Sequence, residues 1–416
     1  MSYSVLRALA CMALLAVSTA GMAATMDITA SFSPSMDRPE NNTFTNTTPQ
    51  SGYCVRRPEY CSGNRVSADL PLRASPSRTI EANSSPRDGL YIKMPSTFRS
   101  LTVTSETGAQ AQVQFRVSTI GFIARYPFGT IGTMDNWVGG GFISAPRPCI
   151  STGLAFYSDI YYEFLWRYNT GDSACYKIST ISRSGYPVFN DNSIGYELQT
   201  PDPLKMEAGI YTGSLTLSVG PGGDIDFGDN YQASDTELTI NFTLSVNHEF
   251  KLTTTADDQA VSLQPCASGR VCTADEGQAN WERWMVSRAT PQLTGRSNFS
   301  LSTSGAFTVY LECEQQSGPD CALRSDKMPS QTVPVSTLLT LPDNIVDNVT
   351  GSTVSKRRLE AGRDLTKNVF VTKTFGQNRA GSIDFLVGQK DVDTMLATRP
   401  DTYRGAVTVI FDPKIY

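Results

Sequence analysis

A strand phrase that occurs twice, once with another strand after it and once at the end of the chain, constrains this sequence most. Gly209 to Val219 matches Asp401 to Phe411: each copy carries Tyr-x-Gly, read as a turn, and then alternates apolar and polar residues. Period-2 alternation is the mark of a half-buried strand, and its recurrence predicts two domains of one architecture. After the first copy, a Gly220 to Gly223 turn and the alternating run Leu238 to Leu244 can close the sheet. After the second copy only Asp412 to Tyr416 remain. A sheet that stops one strand short leaves backbone groups unpaired and a core uncovered, so the second domain is expected to take a strand from another chain. Tyr403, Gly405, Val407, Val409 and Phe411 are the residues expected to meet it.

The first residues read as a secretory leader, residues 1–23. Arg7 precedes an apolar run from Ala8 to Val17, and Gly21-Met22-Ala23 offers small residues for cleavage. That run is too short to span a bilayer, and no later segment is long enough. Of the nine cysteines, Cys11 would leave with the leader; nine minus one is an even set. Cys54 and Cys61, Cys149 and Cys175, Cys266 and Cys272, and Cys313 and Cys321 are near neighbours in sequence. In an oxidising compartment such spacing favours local disulfides without fixing their connectivity. Zinc is disfavoured, because no pair is a C-x-x-C and His248 is the single histidine.

The 416 residues give room for two domains of roughly 150 to 220 residues each. Short alternating runs recur at Leu101 to Ser105, Gln112 to Val117, Phe299 to Ser302, Phe307 to Glu312 and Val369 to Thr372. Clusters such as Asn83-Ser84-Ser85-Pro86 and Ser317-Gly318-Pro319-Asp320 separate them. This predicts an all-β fold of two immunoglobulin-like antiparallel β-sandwich domains, the C-terminal one lacking its last strand. The best helix is Gln278 to Arg288, where Trp281, Trp284 and Met285 would share one face and pack as a buried satellite. The boundary is expected at Asn247-His248, giving domains of residues 24–246 and 247–416, with His248 a solvent-facing turn residue rather than a pH sensor. No flexible linker composition marks it, so the joint should be stiff.

Taken together, the leader, two β domains, local cysteine pairs and the phrase Tyr403 to Pro413 resemble the two-domain tip adhesins of bacterial chaperone–usher fimbriae. The resemblance is strongest at that phrase, at Asn42 to Cys54 and at Gly220 to Asp226. It implies an incomplete pilin domain at the C-terminus, held by a strand from a periplasmic pilus chaperone and completed in the fibre by the adjacent fimbrial subunit. An outer-membrane usher would handle assembly. The N-terminal domain would bind a host-cell receptor, often a glycan, and the protein would travel through the periplasm to the pilus tip at the cell surface. The mature N-terminus qualifies the tip assignment: Met26, Ile28, Ala30 and Phe32 alternate as in a donor strand, but equally as in the first strand of a sandwich. The first-strand reading is preferred; the alternative is an internal or adaptor subunit that donates residues 26–32.

No catalytic residues are expected. Any Ser-His-Asp or Cys-His set would have to use His248, and no G-x-S-x-G elbow, H-E-x-x-H helix or P-loop is present. No cofactor is implied, and a net charge of −5 argues against nucleic acid as a partner. Asp224, Asp226 and Asp229 could hold calcium but lack the calcium-loop pattern, so solvated acids on a tight hairpin are the simpler reading and no metal is expected. Receptor contacts are sought where aromatic and guanidinium groups can stack on sugar rings and pair with acidic groups: Arg56, Arg57, Arg65, Trp137, Tyr161, Trp166 and Arg167. Trp166 belongs to a stripe with Tyr162, Phe164 and Tyr168 that core packing would also explain. Trp137 fits either an exposed glycine loop or a core position. Lys356-Arg357-Arg358 reads as a charged loop.

Overall fold

The computed structural model describes residues 24–413 apart from 36, 39, 41, 62–64, 131–135, 139–143, 172, 268–269 and 365. The leader and the glycines beside Trp137 lie outside the described residues. Among those described, the chain is nearly all strand, and no helix is long and apolar enough to cross a membrane.

Strands up to Val246 form one extended, branched sheet and a two-stranded ladder around one core; strands from Phe250 onward form two facing sheets around another. The all-β expectation holds, although the first half is larger and more branched than a simple immunoglobulin-like sandwich. Its axis is the long strand Gln110–Arg125, which pairs with Arg99–Ser105, Ser193–Gln199 and Tyr161–Arg167 along successive stretches.

The first copy of the repeated phrase is a single strand, Gly209–Ser218, so Tyr-x-Gly makes no turn there. Glu237–Val246 pairs antiparallel with it along its whole length. On the far side of Glu237–Val246 runs Ala24–Phe32, parallel and in register from Ala24 opposite Leu238 to Phe32 opposite Val246. Its alternate residues Met26, Ile28, Ala30 and Phe32 are buried in their own core, as a first strand requires.

In the second half, Phe250–Thr253, Gln292–Thr303, Gly376–Val387 and Thr332–Thr340 form the spine of one sheet. The other contains Ile345–Asp347, Val369–Thr372, Phe307–Cys313 and Val407–Asp412, in that order. The second copy of the phrase is split: Tyr403–Arg404 pairs with Asp320–Ser325, and Val407–Asp412 pairs with Phe307–Cys313. Gly405 sits at the break, where a Cβ would come within 2.7 Å of the Ala322 carbonyl oxygen.

The cysteines pair as 54–61, 149–175, 266–272 and 313–321, each sequence neighbour with its own. The helix is longer than expected, Ala274–Ser287, because Thr273 and Glu276 form a reciprocal capping box one turn earlier. The buried-satellite expectation fails: only Gly277 is buried, Trp281 is partly covered, and Met285 is 55% exposed. Trp284 instead lies between the guanidiniums of Arg288 and Arg399. A second helix, Gln389–Ala397, had no clear sequence signal.

His248 is no solvent-facing turn residue. It is half-buried where the two halves meet, edge-on to Phe32, with Nε2 2.8 Å from the Met206 carbonyl oxygen and Nδ1 3.1 Å from Ser304 Oγ. Met206 belongs to the first half and Ser304 to the second, so one imidazole ties both.

Candidate functional site

Val407–Asp412 pairs with Phe307–Cys313, from Cys313 opposite Val407 through Glu312 opposite Thr408 to Thr308 opposite Asp412, and among the described residues 407–411 have a strand neighbour on that side only. Its other side borders an open groove of about 1130 Å³. The floor is made by Leu293, Phe299, Val335 and Ile383, all buried. The ring of Phe299 lies directly over Gly381, where any Cβ would collide with it. Phe411 reaches across to meet Phe299 edge-on at 5.1 Å and stacks on Phe307 at 6.1 Å.

The two walls belong to different sheets. Val407, Val409 and Phe411 form one; Leu252 on the edge strand Phe250–Thr253 and Val261 and Leu263 from the segment after it form the other. Leu323, Phe385, Met395 and Tyr403 close one end and are only partly buried. Apolar side chains on both walls face space instead of each other, so the sandwich stands open along one seam. An extended segment laid in that seam would gain ladder hydrogen bonds from the unpaired edge and bury alternate side chains. All five residues expected at the missing-strand position line this groove: Tyr403, Gly405, Val407, Val409 and Phe411.

The receptor candidates fare differently. Tyr161–Arg167 is a strand whose Phe164 and Trp166 are fully buried against Phe122, so Trp166 presents no face to a ligand. Trp137 is also in the core, with the buried Arg183 guanidinium over its ring at 4.5 Å. The reverse face of the strand, on which Tyr161 and Arg167 also lie, carries buried Glu163 and Leu165 beneath the loop closed by Cys54 and Cys61.

Arg56 and Arg57 come from that loop and are already engaged. Arg56 Nε donates to Glu163 Oε1 at 2.9 Å, and Arg57 Nε donates to Glu163 Oε2 at 3.0 Å. Two guanidiniums share one buried carboxylate, which makes the pair an anchor for the loop more than a receptor for acidic groups. Arg65 is exposed and donates to the Tyr60 carbonyl at 3.3 Å; Arg167 is exposed and Tyr161 half-buried.

The strands Ile150–Tyr157 and Tyr161–Arg167 form a hairpin whose end carries aromatic residues that the sequence reading passed over. Tyr157 is 68% exposed and packs on Tyr162 at 5.6 Å; Phe156 is exposed, packs on Tyr161 at 6.0 Å and lies 4.1 Å from the Arg57 guanidinium. The signal for them was a polar Ser158-Asp159 turn between two aromatic pairs. With Ile160 also exposed, the tip offers flat apolar faces with phenol hydroxyls beside them.

Three further charged groups resolve as structural. Arg87 pairs with Asp226 at 3.1 Å and Asp229 at 2.7 Å, and Arg99 with Asp224 at 3.3 Å. Asp226 is buried, so these are ion-paired acids rather than the solvated ones expected. The Arg87 hydrogen bond holds the Asp229 carboxyl below the usual carboxylate range. Arg357 and Arg358 lie on a short strand, not a loop, and pair with Asp347 and Asp320.

No family model matches the chain, and no curated protein matches it. Solved structures similar over most of its length include the following three. One is a chaperone–tip adhesin complex of CFA/I fimbriae biogenesis, 11% identical over 94% of this chain and 97% of that one, with a TM-score of 0.23. The second is CfaE, the adhesive subunit of CFA/I fimbria of enterotoxigenic Escherichia coli: 8% identity, 94% and 93% coverage, TM-score 0.23. The third is the CsuC-CsuE chaperone–tip adhesion subunit pre-assembly complex from archaic chaperone-usher Csu pili of Acinetobacter baumannii: 10% identity, 94% and 98% coverage, TM-score 0.22.

Proposed function

We propose that this chain is a fimbrial tip adhesin of the chaperone–usher type, a binding protein and not an enzyme. In this reading residues 247–416 are a pilin domain completed by a strand from a periplasmic chaperone and then from the adjacent subunit, with an outer-membrane usher handling assembly. Residues 24–246 bind a host-surface receptor, a glycan by preference, once the protein has been exported through the periplasm to the pilus tip. The observation that carries the reading is the open apolar groove beside residues 407–411, which have a strand partner on one side only among the described residues. The exposed aromatic hairpin tip supports the receptor half, since aromatic faces stack on sugar rings. The alternative of an internal subunit draws no support from Ala24–Phe32, which is paired along its length within its own sheet.

The test is thermal unfolding of the mature chain with and without a saturating peptide of alternating apolar residues. A ligand that binds only the folded state raises the midpoint by mass action, about 2.7 kcal/mol of stability at a hundred times Kd. A rise supports the reading; an unchanged midpoint at saturation, in a chain that already melts cooperatively, overturns it.

A further inference from the structure

One half of the molecule contains, already filled, the arrangement that the other half leaves open, and the filled copy is a template for the occupant. This step rests on the groove being a strand acceptor. By the repeat, Tyr211, Gly213, Leu215, Leu217 and Val219 correspond to Tyr403, Gly405, Val407, Val409 and Phe411. In the filled copy Leu238 lies opposite Leu217, Ile240 opposite Leu215, Phe242 opposite Gly213, Leu244 opposite Tyr211 and Val246 opposite Gly209. Each of these five side chains is at most 1% exposed.

The largest of them faces the glycine. Gly213 supplies no side chain, and a Cβ there would collide with the Thr102 carbonyl on the neighbouring strand; Phe242 lies opposite and meets Phe115 edge-on at 5.7 Å. Gly405 repeats the constraint against the Ala322 carbonyl, with Leu323 beside it. Nothing in the described chain occupies the place that Phe242 takes in the first half, and Leu323 and Tyr403 there are only partly covered.

We propose that the groove selects an extended segment running antiparallel to residues 403–409, with four apolar side chains at alternate positions and a large aromatic at the third, opposite Gly405. Size at that position, not hydrophobicity alone, then sets register: a one-residue slip turns every apolar side chain outward, and a two-residue slip puts the aromatic against Val407 or Tyr403.

The chain's own strand supplies the probe. A peptide ELTINFTLSV, the sequence of residues 237–246, is titrated into the mature chain and followed by the unfolding midpoint and by direct binding. Three variants accompany it: phenylalanine to alanine, the first leucine to alanine, and phenylalanine exchanged with the isoleucine two places before it. The expected result is that the parent binds, that the first and third variants bind at least about tenfold more weakly, and that the second loses less. A parent carrying a photo-crosslinking phenylalanine should label the segments around Leu323 and Gly405. Equal binding by parent and phenylalanine variant, or a crosslink confined to residues 24–246, overturns the register assignment while leaving strand acceptance standing. Failure of every peptide to bind removes both. Because the variants are made in the peptide, no result depends on refolding an altered protein.

Discussion

At the scale of single residues, His248 does more than its place in a short connection would suggest. Burial outweighs the pull of the Met206 carbonyl and holds its pKa below the ordinary 6.5. The neutral ring fits its partners: Nε2–H donates to Met206, and Nδ1 accepts from the Ser304 hydroxyl, whose oxygen accepts from the Glu249 N–H. Below pH 6.5 the unfolded chain takes up a proton that the folded ring resists, so the unfolded state binds more protons and folding stability falls as the pH is lowered. The loss begins near pH 6.5 and levels off below the folded pKa. Unfolding midpoints from pH 7.5 to 5 should show this, and His248→Asn should flatten that part of the profile; an unaltered profile in the variant would assign the effect elsewhere. Glu163 gives a second test. Removing it strands two guanidiniums, so Glu163→Ala should cost about 2 kcal/mol, less than a fully buried pair because both arginines keep some water, and Glu163→Gln should cost less. Denaturant unfolding of the two variants measures the difference.

At the scale of elements, alternation in the sequence located strands well and faces less well. Val369–Thr372 was legible residue for residue, and Val407, Val409 and Phe411 named one wall of the groove. The opposite wall, from Leu252 to Leu263, lies some 150 residues earlier and becomes a wall only when the two sheets face each other, which no local pattern encodes. The arginine candidates misled for the same reason: Arg56 and Arg57 were visible, but the carboxylate that occupies them is 107 and 106 residues away. Trp166 followed the period of its strand correctly, and the period cannot say which face is covered. The N-terminal strand tests the reading at this scale. Ile28 is buried in the first core and faces Phe242 across a parallel ladder. Ile28→Asp should therefore destabilise the first half by about 3 kcal/mol or more, through an unpaired buried charge. A donor strand used only in assembly would tolerate the same change in the free protein, so an unaltered melting profile would revive the internal-subunit alternative.

At the scale of the whole molecule, a closed sandwich and an open one share a chain, and their stabilities should answer to different things. The first half has its last strand in place, whereas the second keeps Val407, Val409 and Phe411 only partly covered along the open seam. Ending the chain before Gly405 would remove both the unpaired edge and those three side chains. It would also strip Phe307–Cys313 of the partner that pairs with it at six successive positions, Thr308 to Cys313. The apolar contacts alone are worth on the order of 4 kcal/mol, allowing for their partial exposure, before any ladder hydrogen bond is counted. We predict that the truncated protein loses the unfolding transition of its second half, no longer responds to a strand peptide and is not captured by a pilus chaperone on co-purification. The transition of residues 24–246 should survive, shifted only by whatever the His248 junction contributes. A truncated chain still captured as a stable complex would mean that Val407–Asp412 is not the edge on which a partner strand is built.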